Sequence, residues 1–289
     1  MLESGENGLT SDGSEEIPPV STVSPLEDTK PGAVNEIEIQ GIGNFTFDPN
    51  KIRTVREDIF QTGYFSLFDI LVHLHEREEI DMDYEFRSEL ATHVIRSING
   101  LENWWYMAYY DGGWPENNVW RMDLYPYKDR SVIRVFQEDE ETIQSIHEGF
   151  AEEVLRRNVN GGEIIVPSVR INLRTSRLEF NDVRVSPHDL RSDYFNEGTI
   201  TAIDAIISLS EVGEITHEIE WYESIGSAGI VKNYFVDGIN ENKAIGRCGF
   251  VYEVGSEKFY AFRGNHIHIP ADMRVLTSPE YVQFFWICL

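Results

Sequence analysis

Three groups of residues have types and spacings that could do chemistry. His266-Ile267-His268 sets two imidazoles on one face of an extended strand. That spacing can hold a metal ion if further ligands converge on it, and it also suits two hydrogen-bonding surface histidines. The acidic run Glu76 to Asp83, with Asp81 and Asp83, would attract Ca²⁺. It lacks the glycine and ligand spacing of an EF-hand loop and reads as a solvated charged edge. The third group is Trp104-Trp105-Tyr106-Met107-Ala108-Tyr109-Tyr110, followed by Asp111-Gly112-Gly113-Trp114 and, a little later, Trp120.

Aromatic side chains fit the pleated surface of a sheet, so this block reads as a strand. Alternation sends Trp104, Tyr106, Ala108 and Tyr110 to one face and Trp105, Met107 and Tyr109 to the other. One face must build a core. The other, with Trp114 and Trp120, either packs within the chain, buries itself in a protein partner, or stacks on a sugar ring or planar ligand. Asp111-Gly112-Gly113 supplies turn residues, and Thr92 to Ile98 before Asn99-Gly100 is a second β-rich run. Two strands around a short connection are therefore expected to frame the aromatic block.

Other motifs are missing. His73 and His75, two apart on a predicted helix, do not share a face. No G-x-S-x-G elbow, Walker A loop, HExxH helix or Cys/His pair occurs. Paired carboxylates carry no information in a chain with 50 acidic residues. The chain is expected not to be an enzyme and to need no cofactor.

Against those 50 acidic residues stand 24 basic ones, a net charge of −26. Phosphate binding needs the opposite sign, which excludes nucleic acid as a partner and disfavours anionic lipid surfaces. The acidity fits a protein that stays soluble in salt or one that collects cations. No apolar run approaches the ~20 residues of a membrane span, and Met1 to Lys30 has no apolar signal-peptide core. Cys248 and Cys288 are the two cysteines, either joined in an oxidising compartment or both buried as free thiols.

The elements that must position these residues follow in order. Residues 1–35 are rich in Ser, Glu, Pro, Gly and Thr, with Val20, Val23 and Leu26 as sparse apolar anchors, and read as a disordered arm or linker. Ile37 and Ile39, then Phe45 and Phe47, alternate as a hairpin, in which Asn44-Phe45-Thr46 matches the N-glycosylation pattern. Leu67, Ile70, Leu71 and Leu74 form the apolar stripe of a helix opened by the Ser66/Asp69 capping signature. Ile80 to Phe86 alternates as a strand.

The unit then recurs. Asp58, Phe60, Gly63, Asp69, Leu74 and Ile80 reappear as Asp193, Phe195, Gly198, Asp204, Leu209 and Ile215, at a constant offset of 135 (193 − 58). Thr201 replaces Ser66, and Ser97-Ile98-Asn99-Gly100 lines up with Phe235-Val236-Asp237-Gly238 after a small insertion. An internal duplication is the reading. Between the copies Glu138 to Arg157 is predicted helical through Ile143, Ile146, Phe150 and Val154. Strands from Val166 to Phe180 open the second copy, and Val282 to Cys288 closes it.

With Ser-Leu-Phe-Asp-Ile-Leu opening the helix, then Ser-Ile-Asn-Gly and Trp-Trp-Tyr, the order of elements resembles the transcobalamin-like C-terminal domain family. The resemblance covers roughly Glu36 to Gln137 and, more diverged, Pro167 to Leu289. It departs at Asp111-Gly112-Gly113, where the family has Asn-Gly, and at Gly249-Phe250, which replaces the Trp pair. It implies an α+β fold of two tandem β-grasp-like domains, each a small mixed sheet with one packed helix. The expected organisation is an arm over 1–35, a first domain over 36–137, a helical linker over 138–165 and a second domain over 166–289. It also implies an extracellular or cell-surface protein. The expected function is contact with itself or another surface protein, such as a filament subunit. The rival is a small-ligand binder, for a corrinoid or glycan, using the aromatic surface.

Overall fold

The computed structural model describes residues 35–110, 119–224, 231–259 and 269–288. Most of the arm, the Asp111-Gly112-Gly113 turn, Trp114, His266, His268 and the side chain of Tyr110 lie outside the described residues. The fold is mixed α+β, mostly strands in several small sheets, with three α-helices among the described residues. Residues 34–289 form one compact unit.

The chain opens with β1 (Glu36–Ile39) and β2 (Gly43–Thr46), an antiparallel hairpin that turns Ile37 and Ile39 into the core. Helix α1 (Leu67–Glu76) follows. Its Ser66 hydroxyl accepts from the Asp69 N–H while the Asp69 carboxylate accepts from the Ser66 N–H, a complete capping box. Then come β3 (Met82–Arg87), β4 (Thr92–Ile98), β5 (Trp104–Tyr110) and β6 (Ser131–Gln137). The strands on either side of Asn99-Gly100 do not frame the aromatic block as expected. β4 pairs with β3, and β5 pairs with β6 in the other sheet. Asn99 holds a positive φ of 52° and its carboxamide accepts from the Asp81 N–H, which fastens the end of β4 to the start of β3 rather than to β5.

Helix α2 (Glu140–Val159) leads to β7 (Ile164–Asn172), β8 (Arg177–Val185), α3 (Asp204–Glu211), β9 (His217–Tyr222) and β10 (Asn233–Ile239). The short β11 (Asn242–Lys243), β12 (Cys248–Gly255) and β13 (Tyr281–Cys288) complete the chain. The first large sheet has the order β2-β1-β6-β5 and the second β8-β7-β13-β12. In both, the opening strand runs parallel to the closing one. The same strand order thus recurs in each half.

The recurrence extends to detail. Gly63 and Gly198 both hold positive φ, 94° and 85°, where a Cβ would be strained. The Tyr106 hydroxyl donates to the Trp120 carbonyl, and that of Tyr252 to the Ile269 carbonyl. The counterpart of Asn99 is Asn240, not Asp237: it has φ 51° and accepts from the Thr216 N–H as Asn99 accepts from Asp81. Both halves carry a bulge at the matching place, between Ile95 and Ser97 and between Val236 and Gly238, so the longer connection between β9 and β10 is what moves the offset from 135 to 141 (240 − 99). The Thr201 cap is kept only in part. Asp204 accepts from the Thr201 N–H and hydroxyl, but α3 starts late, at Asp204, without a side-chain N-cap.

The halves meet through their equivalent residues. Phe60 bridges Phe195, the Gln61 N–H donates to the Tyr194 carbonyl at 2.9 Å, and the Asn196 N–H donates to the Ile59 carbonyl at 2.8 Å. Each partner is the offset mate of the other, the reciprocal pattern of a two-fold contact. The cores interleave as well. The first apolar core takes in Phe195, Ile269, Met273 and Val275 from the second half, and the second gathers around Val166, Val169 and Ile206.

Candidate functional site

The aromatic strand is the natural starting point. Trp104, Tyr106 and Ala108 face the first core and are buried, and Trp120 is buried beside them under the Tyr106 hydroxyl bond. These residues are packing, not platform, because β5 and the loop that carries Trp120 close over the same apolar cluster. Tyr109 is half-buried. Trp105 points the other way and is covered by α2: its ring lies 6.3 Å from Phe150 and 6.2 Å from His147. The helix buries only Ile146 and Phe150 of its own residues, and they meet Leu90 and Phe259 there.

Between α2, β4 and β5 a cavity of about 180 Å³ remains, lined by His93, Trp105, Ile143, His147 and Phe150 among others. Burial, with the charges of Arg87 and Arg121 nearby, pushes the His147 imidazole down to about 4, so it is neutral at pH 7. Arg121, completely buried, fixes α2 in place. It donates to the carbonyls of Leu90 and Phe150, to Glu153 and to Thr277, and its guanidinium sits 4.2 Å from the Phe150 ring centre. Helix and second half are thereby tied to the wall of the cavity.

His93 is positioned from behind. Its Nδ1 lies 2.9 Å from Asp123, which, as a carboxylate, accepts and fixes the tautomer. Asp123, fully buried, also accepts from Arg56 at 3.0 Å, from the Thr92 hydroxyl at 2.6 Å and from the His93 N–H at 3.0 Å. Arg56 in turn forks onto Asp58. Burial alone would raise the Asp123 carboxyl, but the His93, Arg56 and Thr92 bonds outweigh it and hold it below the ordinary range.

The second half repeats this cluster. Arg191 forks onto Asp193 and reaches the buried Asp272 at 3.0 Å. Asp272 also accepts from the Asn233 carboxamide at 2.8 Å and the Tyr234 N–H at 2.9 Å. Asn233 stands in the place of Thr92, and Tyr234 in that of His93. Here burial wins, and Asp272 sits above the ordinary carboxylate range despite Arg191. Lys128, from the first half, reaches across to this cluster and donates to Asn233 and to the Val231 carbonyl.

Cys248 and Cys288 form a disulfide, facing each other at the end of the β12–β13 ladder. Among the described residues no group of three His, Cys, Asp or Glu is placed to hold a metal ion. No described helix is long and apolar enough to cross a membrane. Sequence reasoning missed Arg56, His93, Asp123, Arg191, Asn233 and Asp272. A signal was present for two of them, Arg56 and Arg191, since Arg-x-Asp recurs at 56–58 and 191–193 at the same offset as the neighbouring matches, and buried arginines require carboxylates.

Comparison with protein-family models, with curated proteins and with solved structures returned no match.

Proposed function

We propose that the chain is a non-enzymatic extracellular or cell-surface protein that acts through protein–protein contact, with itself or another surface protein as partner. Its two halves are read as tandem β-grasp-like domains of the transcobalamin-C-like kind. The supporting observation is β5. Among the described residues this seven-residue aromatic strand pairs with β6 alone and stands at the edge of its sheet. An open edge is a template for an added strand, and the arm before β1 is a segment that could supply one. The Cys248–Cys288 bond suits an oxidising compartment. Light scattering over a range of concentrations, with residues 1–35 present or deleted, tests the reading. Assemblies that vanish with the deletion are expected. A monomer in both forms at every concentration would overturn self-contact.

A second reading has its own observation, the cavity beside Trp105. Its about 180 Å³ suits one sugar or planar ring rather than a corrin. Binding there would quench tryptophan fluorescence saturably in the monomer, and a screen of monosaccharides and planar rings without quenching would remove it.

A further inference from the structure

The second buried cluster holds an arrangement that its twin lacks. Asn233 and Asp272 are completely buried, and the Asn233 carboxamide nitrogen lies 2.8 Å from Asp272 Oδ1. The Lys128 amine donates to the other end of the same carboxamide, at Oδ1, the atom bonded to Cγ. An amine and a carboxyl group thus flank one buried carboxamide, in a site shielded from water.

We propose that Lys128 and Asn233 are a self-modifying pair that forms an intramolecular amide cross-link, with Asp272 as the proton carrier. The Lys128 Nζ, as an unprotonated amine, attacks Asn233 Cγ and forms a new C–N bond. The Cγ–Nδ2 bond breaks, the surplus proton on the attacking nitrogen passes by way of Asp272 to Nδ2, and ammonia leaves. One amide replaces another, no electrons are gained or lost, and no outside reagent is consumed.

Two features favour the reaction. Burial, aided by Arg191 and Lys232, lowers the Lys128 amine to about 8 against the pull of Asp272, so a useful fraction is unprotonated near neutral pH. The raised Asp272 carboxyl can hold the proton it must transfer. The twin cluster has Thr92 where Asn233 stands, and a hydroxyl offers no acyl carbon. Residue 277, the counterpart of Lys128, is Thr277, which carries no amine. The cross-link is therefore specific to the second cluster. Because Lys128 belongs to the first half and Asn233 to the second, it would join the halves covalently.

The test is the intact mass of the full chain, denatured and fully reduced so that the disulfide does not contribute. The expected mass is lower than the sequence mass by one ammonia, with a branched peptide joining Lys128 to Asn233 after digestion. Lys128→Ala and Asn233→Ala each restore the full mass, and Asp272→Ala slows or stops the loss. A folded wild-type chain that keeps its full mass after prolonged incubation at mildly alkaline pH overturns the proposal. So does an ammonia loss that maps elsewhere, as to a succinimide at Asn99-Gly100.

Discussion

The two buried Arg–Asp clusters share a plan and differ in charge economy. Arg56 and Arg191 each fork onto an aspartate two residues on and reach a second, fully buried one. Both distal carboxylates also take a backbone N–H from the neighbouring strand. Yet Asp123 is held below the ordinary range and Asp272 above it. The difference traces to two positions. In the first half the His93 ring and the Thr92 hydroxyl both donate to Asp123. In the second the Asn233 carboxamide takes the place of the Thr92 hydroxyl, and Tyr234 gives Asp272 its backbone N–H, the counterpart of the His93 N–H rather than of the His93 ring. A duplicated frame can thus keep its architecture while two side chains reset the protonation of its central acid.

The largest effect is expected from removing that acid. Asp123→Ala leaves Arg56 buried without its second carboxylate and should cost about 4 kcal/mol in urea unfolding. Asp272→Ala should cost less, since burial already disfavours its charge. Equal losses would break the comparison. Next in size is the staple of the second half, which has no counterpart in the first. Cys248→Ser with Cys288→Ser should cost about 4 kcal/mol at most by the chain-entropy argument for a separation of 40 residues, read as a lower urea midpoint that reductant no longer changes.

His147→Phe probes the cavity wall. Folded His147 titrates at about 4, below its unfolded value, so between pH ~6.5 and ~4 the unfolded chain binds a proton that the folded chain refuses. Wild-type stability should therefore fall through that window as pH drops, by about 3 kcal/mol, and the variant should lose that slope. A flat wild-type profile would place His147 in water. The smallest change sharpens the comparison directly. His93→Tyr copies the second cluster onto the first, should raise the Asp123 carboxyl, and should cost about 1 kcal/mol at neutral pH.

Local features were legible in the sequence. The hairpin of Ile37 and Ile39, the Ser66/Asp69 capping box and the helix around Ile146 and Phe150 rest on short-range patterns, and each appears where those patterns place it. The repeat was readable from Asp58 to Ile80 because that stretch recurs without a gap. Beyond Ile80 the loops differ in length, so Asn99 was matched to Asp237 instead of Asn240. The site was far less visible. Asp123 lies 67 residues from Arg56, and Asp272 lies 81 from Arg191. Such pairs are decided by how the closing segment of each half folds back over α1 or α3, which periodicity does not encode. The alternation of the aromatic block is seen at Trp104, Tyr106 and Ala108 against Trp105, but that α2 covers Trp105 depends on Arg121, whose partners come from three distant segments.

The measurement that tests the central contrast is a carboxyl-carbon NMR titration of the aspartates in the folded protein, assigned with Asp123→Asn and Asp272→Asn. The account expects Asp123 to ionise below the ordinary range and Asp272 above it. Two carboxyls titrating together, or in the reverse order, would contradict it.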